Sequence, residues 1–407
     1  MKKTGFAVVG VRNFADTYIQ NLKKLEPEKI TELTAVVVKD QIENAERVRE
    51  LRGDGIKVFD SYQQLLSEGR DYVDVIALPV AIHTHTEMAI EGMKHGYHVL
   101  LEKPPAPTVE EVDQMIKVER ATGKFCSIGF QFIHARSIRK LKEFLLNKKI
   151  GDLLELACKG YWPRYRSYYQ RNSWAGKSIW NGRIVLDGPM HNAFAHFLNN
   201  LLFLASEKRE QTAELKKVRA ELYRAHTYID ADDTSCLKLE TKAGVKGYFY
   251  VTHASRDIQD PWLEIIGTKG KAYWQFDEKT RIVLDNGQEI KFDHEGIDPW
   301  LEVLRTAALV NLGQLAKPYS TPENSRNFVV AINGAYDSAK RIRSIPVQYV
   351  SEYFTSENEF KTELQDIEKM MDQAFVERKL LSELGIEWAE RTATIDVQNY
   401  RQFNPFQ

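Results

Sequence analysis

Long apolar runs are missing from this sequence. No stretch approaches the roughly 20 apolar residues that a membrane-spanning helix needs, so no membrane partner is expected. Cysteine is scarce: Cys126, Cys158 and Cys236 are scattered, form no C-x-x-C pair and build no paired framework, which points to a reducing, cytoplasmic setting. Net charge is close to absent, at −1, and nothing global draws the chain to nucleic acid or anionic lipid. Internal repeats and low-complexity linkers are absent too. The opening "MKKTGFAVVGVRNF" has two lysines, but Arg12 cuts its apolar stretch short and no small-residue cleavage site follows, so a secretory leader is not expected. His83 and His85 come without a matching carboxylate and histidine set, and no metal centre is expected.

What is present describes a water-soluble globular chain of 407 residues, 43% hydrophobic and 28% charged, too long for one ordinary core. In residues 1–130 short apolar runs of strand length ("FAVV", "LTAVVV", "VDVIAL", "YHVLL", "FCSIGF") alternate with helix-period stretches such as "NAERVRELR" and "TVEEVDQMIKVERATG". Strict alternation predicts an α/β domain built on a doubly wound parallel sheet. Thr108 with Glu111 makes a capping box ahead of one of its helices.

From about residue 131 to 350 longer alternating strands appear, among them "DLLELACKGYW", "KVRAELYRAH", "VKGYFYVTH" and "WLEIIGTKGKAYW", with an Asn-Gly hairpin signal in "DNGQEI". These predict a second α/β domain with an open, mostly antiparallel sheet. Helices are expected from about Pro189 to Ala205 and from Thr321, a cap followed by Pro322 at the first turn. Residues 351–407 are expected to form a charged helical extension.

The segment "FAVVGVRNFADTY" carries the first chemical signal. A small apolar strand runs into Gly10, the usual opening of a G-x-G-x-x-G dinucleotide loop, but Arg12 stands at the second glycine position and Ala15 at the third. Alanine is commonly accepted at the third. A β-carbon at the second pushes a pyrophosphate outward, and a guanidinium there can supply the donors and charge that a closer backbone would have given. Gly10, Arg12, Asn13 and Ala15 are therefore candidate cofactor contacts. At the next strand end "AVVVKDQ" offers Lys39 and Asp40. Asp40 turned inward favours NAD, Lys39 turned inward tolerates the 2′-phosphate of NADP, and both cofactors stay open.

"YHVLLEKPPAPT" ends a buried strand by presenting Glu102 and Lys103, after which two prolines forbid continuation. The carboxyl ends of strands in an open parallel sheet line the ligand crevice, which places Lys103 where a nicotinamide ring would lie. A lysine partly desolvated near a cationic ring can fall from ~10.4 toward ~7–8 and exchange a proton with a substrate hydroxyl.

Gly10, "LPVAIHTHTEMAIEGMKHGYHVLLEKP", "IGFQ" and "LDGPMHNAFAH" together resemble the Gfo/Idh/MocA oxidoreductases, the glucose–fructose oxidoreductase and inositol dehydrogenase group, over about residues 5 to 345. The resemblance implies an N-terminal Rossmann domain binding NAD or NADP and a C-terminal domain holding a sugar or polyol. It matches Lys103 to the family's catalytic lysine, and Asp187 and His191 to its Asp-x-x-x-His pair. It adds Pro79, His83 and Glu102 to the cofactor contacts. "PVAIHTHTE" is two residues longer than the usual segment, so His83 or His85 is the matching histidine. The family also contains glycosidases that use NAD transiently without net redox, and non-catalytic sugar sensors.

Asp187 and His191 lie one helical turn apart and can share a face, the aspartate orienting the imidazole and supporting its protonation; an alternative reading makes Asp187 only a helix cap. Asn192 and His196 form a second stripe of candidate substrate contacts. Between Leu156 and Leu186 no acidic residue occurs, while Lys159, Arg164, Arg166, Arg171, Lys177 and Arg183 interleave with Tyr161, Trp162, Tyr165, Tyr168, Tyr169, Trp174 and Trp180. Rings suit carbohydrate faces and arginines suit carboxylates or phosphates, which makes Tyr161, Arg164, Arg171 and Trp174 candidates for holding an acidic or large glycoside-like carbohydrate. The exposed sheet of the second domain is the expected surface for a homo-oligomer.

Overall fold

The computed structural model describes residues 2–277, 279–293 and 296–404. The chain divides into two compact units. The first holds a sheet of six strands: β1 (Thr4–Val9), β2 (Thr31–Val37), β3 (Lys57–Phe59), β4 (Val75–Leu78), β5 (His98–Leu101) and β6 (Cys126–Ile128). All pair in parallel in the order β3-β2-β1-β4-β5-β6. The strands are buried on both faces because helices cover both, so they read as continuous apolar runs. Those helices are α1 (Phe14–Leu25), α2 (Ala45–Gly53), α3 (Tyr62–Glu68), α4 (His85–Lys94), α5 (Val109–Thr122) and the short α6 (Gln131–His134). The strand order reverses between β1 and β4, the position at which such sheets open a crevice at their carboxyl ends. Helix α5 starts directly after Thr108, where the capping box places it.

The second unit contains α7 (Arg136–Leu146), β7 (Leu153–Tyr161), the short α8 (Arg166–Gln170), a two-residue hairpin of β8 (Ile179–Trp180) and β9 (Arg183–Ile184), and α9 (Ala195–Leu204). Then come β10 (Leu215–Arg224), β11 (Thr234–Thr241), β12 (Lys246–Thr252), β13 (Gln259–Gly267), β14 (Gly270–Gln275), β15 (Thr280–Leu284) and β16 (Glu289–Phe292). Helix α10 (Pro299–Asn311) belongs to the first unit, and α11 (Pro322–Ala339) runs from the first into the second. The chain ends with β17 (Arg343–Ser344), β18 (Val350–Phe354), β19 (Phe360–Leu364), α12 (Ile367–Glu377) and β20 (Ile395–Asp396).

The large sheet runs β16-β15-β14-β13-β7-β12-β11-β10-β17, with β20 also on β10. It is mostly antiparallel, with parallel pairs at β7–β12 and β10–β17. Asn286-Gly287 turns β15 into β16 with Gly287 in the left-handed region, φ 85°. The Thr321 hydroxyl accepts the Asn324 N–H at 3.2 Å at the start of α11.

Two expectations about the second unit differ from what is found. The helix expected from Pro189 begins only at Ala195, because residues 189–194 form successive turns. The C-terminal extension is not wholly helical: Val350–Phe354 and Phe360–Leu364 pair as a hairpin, and α12 is confined to Ile367–Glu377. The segment "FKTEL" within the expected helical extension is a strand, with Lys361 to Leu364 buried.

The extension also lies on the sheet face expected to meet a second copy. Met371, Ala374, Phe375, Leu380 and Leu381 pack with Ala157, Tyr161, Tyr223, Cys236, Tyr248 and Tyr250 from β7, β10, β11 and β12. Over those strands an intramolecular cover stands where an open surface was expected. On β13–β16 the same face keeps half-exposed Trp262 and Tyr273 beside exposed Gln275, Arg281 and Lys291.

Candidate active site

In the first unit, β1 delivers Gly10 with φ 102°, a conformation that favours glycine, and its N–H donates to the Val37 carbonyl on β2 at 2.9 Å. A β-carbon at Gly10 would lie 3.2 Å from that of Ala15, so the absence of a side chain lets α1 start close against the strand end. Asn13 also takes a left-handed φ of 53° just before α1. The Arg12 guanidinium leaves the loop sideways: it ion-pairs with the Glu43 carboxylate and donates to the Glu43 carbonyl at 2.8 Å. Asp40 uses Oδ1 to accept the Glu43 N–H at 2.8 Å and so shapes the same turn, while Lys39 is exposed. Arg12 and Asp40 thus meet on one short segment, a link that neither motif announces.

At the end of β5, Glu102 is buried. It accepts the Tyr18 hydroxyl at 2.5 Å and the Lys103 backbone N–H at 3.1 Å. Burial raises its carboxyl above the ordinary value while the Tyr18 and Lys103 contacts pull the other way, and burial beside that carboxyl raises the Tyr18 phenol. Lys103 itself is half-buried and its bond to Pro104 is cis. Of the two histidines left open, His85 is buried, with Nδ1 2.8 Å from the Pro104 carbonyl and Nε2 3.1 Å from the Val80 carbonyl. Burial depresses it to about 4, so at neutral pH the ring is uncharged, carries a single N–H and donates to only one of these two carbonyls. His83 is half-buried on the turn Ile82–Thr84, and Pro79 is half-buried directly after β4.

In the second unit, Asp187 is buried and its donors include the Gly176 N–H at 2.7 Å, the Asn192 amide at 2.6 Å and an Arg171 guanidinium nitrogen at 3.3 Å. It is therefore a hub rather than a helix cap. His191 Nδ1 lies 3.1 Å from the Leu186 carbonyl, which is turned toward the ring by a left-handed φ of 55° at Leu186. Gly188 is required beside them, since a β-carbon there would sit 2.2 Å from Oδ1 of buried Asp232. His196 is buried in the first turn of α9.

Strand alternation sorts the aromatic and basic segment. Lys159 and Tyr161 point to the face covered by α12, where both meet Asp372. Trp162 points the other way and stacks on Phe194, at 4.6 Å between centroids. Arg164 and Arg171 approach the Tyr168 ring at 4.8 and 3.8 Å, and Arg171 also lies 5.5 Å from Trp174. The structure thus joins Asp187, Asn192, Arg171, Trp174 and Arg164 in one network and leaves Tyr161 on the opposite face. Sequence reasoning missed Tyr18, Leu186 and Asp232, as well as the buried pair His226–Asp233 with Nδ1 to Oδ2 at 2.7 Å. Tyr18, Leu186 and Asp232 act across a long sequence separation or through a backbone atom and leave no local signal, while His226 and Asp233 lie seven residues apart around the loop between β10 and β11.

Residues 4–130 match the family described as "Oxidoreductase family, NAD-binding Rossmann fold", and residues 138–273 match the GFO/IDH/MocA C-terminal domain. The chain belongs to the Gfo/Idh/MocA family. This member is 23% identical over 355 residues to the myo-inositol 2-dehydrogenase of Thermotoga maritima, covering 84% of this chain and 98% of that protein. It is 30% identical over 150 residues to the dTDP-3,4-didehydro-2,6-dideoxy-alpha-D-glucose 3-reductase of Actinomadura kijaniata, covering 37% and 44%. In fold it is similar to the WlbA dehydrogenase from Bordetella pertussis, solved with NADH and UDP-GlcNAcA, with a TM-score of 0.68, 20% identity and coverage of 85% and 99%. The chain belongs to an NAD-binding oxidoreductase family, and the space at Gly10 that a β-carbon would narrow fits a dinucleotide, while the Arg12 guanidinium beside it is engaged by Glu43.

Proposed function

We propose that this protein transfers a hydride between a nicotinamide cofactor and a carbinol carbon of a sugar, polyol or sugar acid, in the cytoplasm. The reading rests chiefly on one observation: a half-buried lysine at the carboxyl end of β5, with its own N–H held by buried Glu102 and the next residue's carbonyl 2.8 Å from Nδ1 of His85. Gly10, Arg12, Asn13 and Ala15 would hold the pyrophosphate, Lys39 or Asp40 the adenosine ribose, and Pro79, His83 and Glu102 the remaining length of NAD or NADP. When bound, that cofactor supplies the hydride acceptor or donor. Lys103 Nζ accepts the proton that leaves the substrate hydroxyl, and His191 is the second proton-transfer group, its ring oriented by the Leu186 carbonyl. Asp187 orders Asn192 and Arg171 around the substrate, with Trp174 and His196 as further contacts. Copies of the chain pair, in this reading, through the uncovered β13–β16 part of the large sheet.

The test is NADH absorbance across a panel of polyols, sugars and uronic acids, paired with calorimetric NAD titration of the wild type and K103A. The expected outcome is steady NADH formation with at least one compound, a loss of about 10²–10⁴-fold in K103A, and retained NAD affinity. NAD binding combined with release of a glycoside leaving group and no net NADH would overturn the redox reading in favour of a transient-redox glycosidase.

A further inference from the structure

Arg164 is a fixed cation that has no ion-pair partner among the described residues, its charge acting within the fold on Tyr168 and His253. Its backbone is pinned on both sides: its N–H donates to the His253 carbonyl at 3.0 Å, and its own carbonyl lies 3.2 Å from Nε2 of His226. His226 is in turn held by fully buried Asp233, which also accepts the backbone N–H groups of Ala225 and His226 at 2.7 Å each. The guanidinium lies along two rings, 4.8 Å from the centroid of Tyr168 and 5.7 Å from that of Trp162. Stacking orders the side chain but does not neutralise it.

The neighbouring cations are accounted for differently. Lys159 pairs with Asp372, Arg171 with Asp187 and Lys177 with Asp230. Arg166 shares the lack of an ion pair and of an acceptor at Nε, but it lies elsewhere, 3.7 Å from the Phe360 ring and 4.9 Å from that of Tyr228, on the side of the C-terminal hairpin. Among the described residues no carboxylate lies within ion-pair distance of Arg164, and its Nε is out of contact with water and has no acceptor. The nearby Asp260 is engaged by the Trp162 indole N–H at 2.9 Å. His253, whose ring stacks on Phe194, is held well below its ordinary value by burial and then by Arg164, so it adds no charge. Around the Tyr168 ring there are consequently two guanidinium groups against one carboxylate, Asp187.

We infer that Arg164 is a specificity residue that receives an oxyanion, a carboxylate or a phosphate, carried by the carbohydrate substrate. The inference rests on the proposed function for the identity of the carbohydrate, but the recognition itself is a binding property. A planar fork fixed at its root and stacked on rings matches an oxyanion in a way that a flexible lysine does not. Its link to the Asp187 hub runs through one ring: Arg171 touches Asp187 and faces the same Tyr168 that Arg164 faces.

The experiment titrates D-glucose, D-glucuronate and D-glucose 6-phosphate into NAD-saturated protein by calorimetry, in the wild type, R164Q and R166Q. The inference expects at least one anion to bind the wild type about tenfold or more tighter than glucose, R164Q to bind that anion no tighter than it binds glucose, and R166Q to keep the preference. The uronate arm and the phosphate arm decide which oxyanion is received. Equal affinity for glucose and both anions, no binding of either anion, or an anion preference that survives in R164Q overturns the inference. The wild-type comparison stands even if R164Q fails to fold. Anion binding that depends on Arg164 without NADH formation from any compound would instead sink the oxidoreductase reading and leave this one intact.

Discussion

The two faces of the ten-stranded sheet handle charge in opposite ways. On the face under α12 several buried or half-buried charges find a counter-charge from the same chain: Arg378 meets Glu155 and Glu264, Glu383 meets Arg219 and Lys238, and Lys159 meets Asp372. Glu221, buried there, accepts the Tyr223 hydroxyl at 2.8 Å and the Ser382 N–H at 3.2 Å. On the face that carries Phe194 and the Asp187 hub, polar groups are just as deeply placed, yet Arg164 keeps a charge without an ionic partner. Strand β7 serves both faces through residues one position apart. The contrast teaches that the covered face is complete as it stands, whereas the other is arranged for a group the chain does not contain.

The covered face can be broken most severely at Met371, which is fully buried and whose sulfur lies 3.7 Å from that of Cys236. M371D puts a carboxylate into an apolar cluster with no cation to meet it, and an uncompensated buried charge costs about 3–5 kcal/mol. Urea unfolding should show a loss of that size. A loss below about 1 kcal/mol would mean that the extension is not a packed part of the second unit.

The opposite face is sharpened by pH. Asp232 accepts the Tyr336 hydroxyl at 2.7 Å and the Ser235 hydroxyl at 2.5 Å, and burial raises its carboxyl to about 6. The folded state therefore holds this proton more tightly than the unfolded chain does. The stability it contributes is complete below about pH 4 and is lost as pH rises through about 6, by about 3 kcal/mol in all. D232N cannot titrate, so subtracting its stability from that of the wild type at each pH removes every other group. That difference should fall between about pH 4 and pH 7; a flat difference would show that Asp232 ionises in the fold as it does in water.

Local signals carried much of this architecture and long-range ones carried none of it. The alternating apolar runs, Gly10 with Ala15, the Asn-Gly turn, Thr321 and the Glu-Lys-Pro strand end are each decided by neighbours in sequence, and each is found where it is expected. Gly188 shows the limit. "LDGP" reads as a turn, but the reason for glycine is Asp232, which arrives on a distant loop. The aromatic and basic segment shows another. Period-two alternation states that Tyr161 and Trp162 face apart, but not which face is covered, because the cover comes from residues 367–384. The hairpin at Val350–Phe354 was missed because charged residues on both strands imitate a helix-surface pattern.

The smallest effect tests that sorting most directly. The Tyr161 ring is in the apolar cluster and its hydroxyl donates to Asp372 at 2.6 Å on α12, beside the Lys159–Asp372 pair. Y161F keeps the ring and removes one charge-assisted hydrogen bond, leaving Asp372 with Lys159. The expected cost is about 1 kcal/mol in urea unfolding, because the acceptor is half-exposed and keeps a second partner. Substrate affinity and turnover should not change, since the hydroxyl faces the covered side of β7, whereas R164Q alters anion affinity from the other side. A Y161F protein whose KM rises while its stability holds would mean that β7 presents Tyr161 to substrate, and the division of the two faces would be lost.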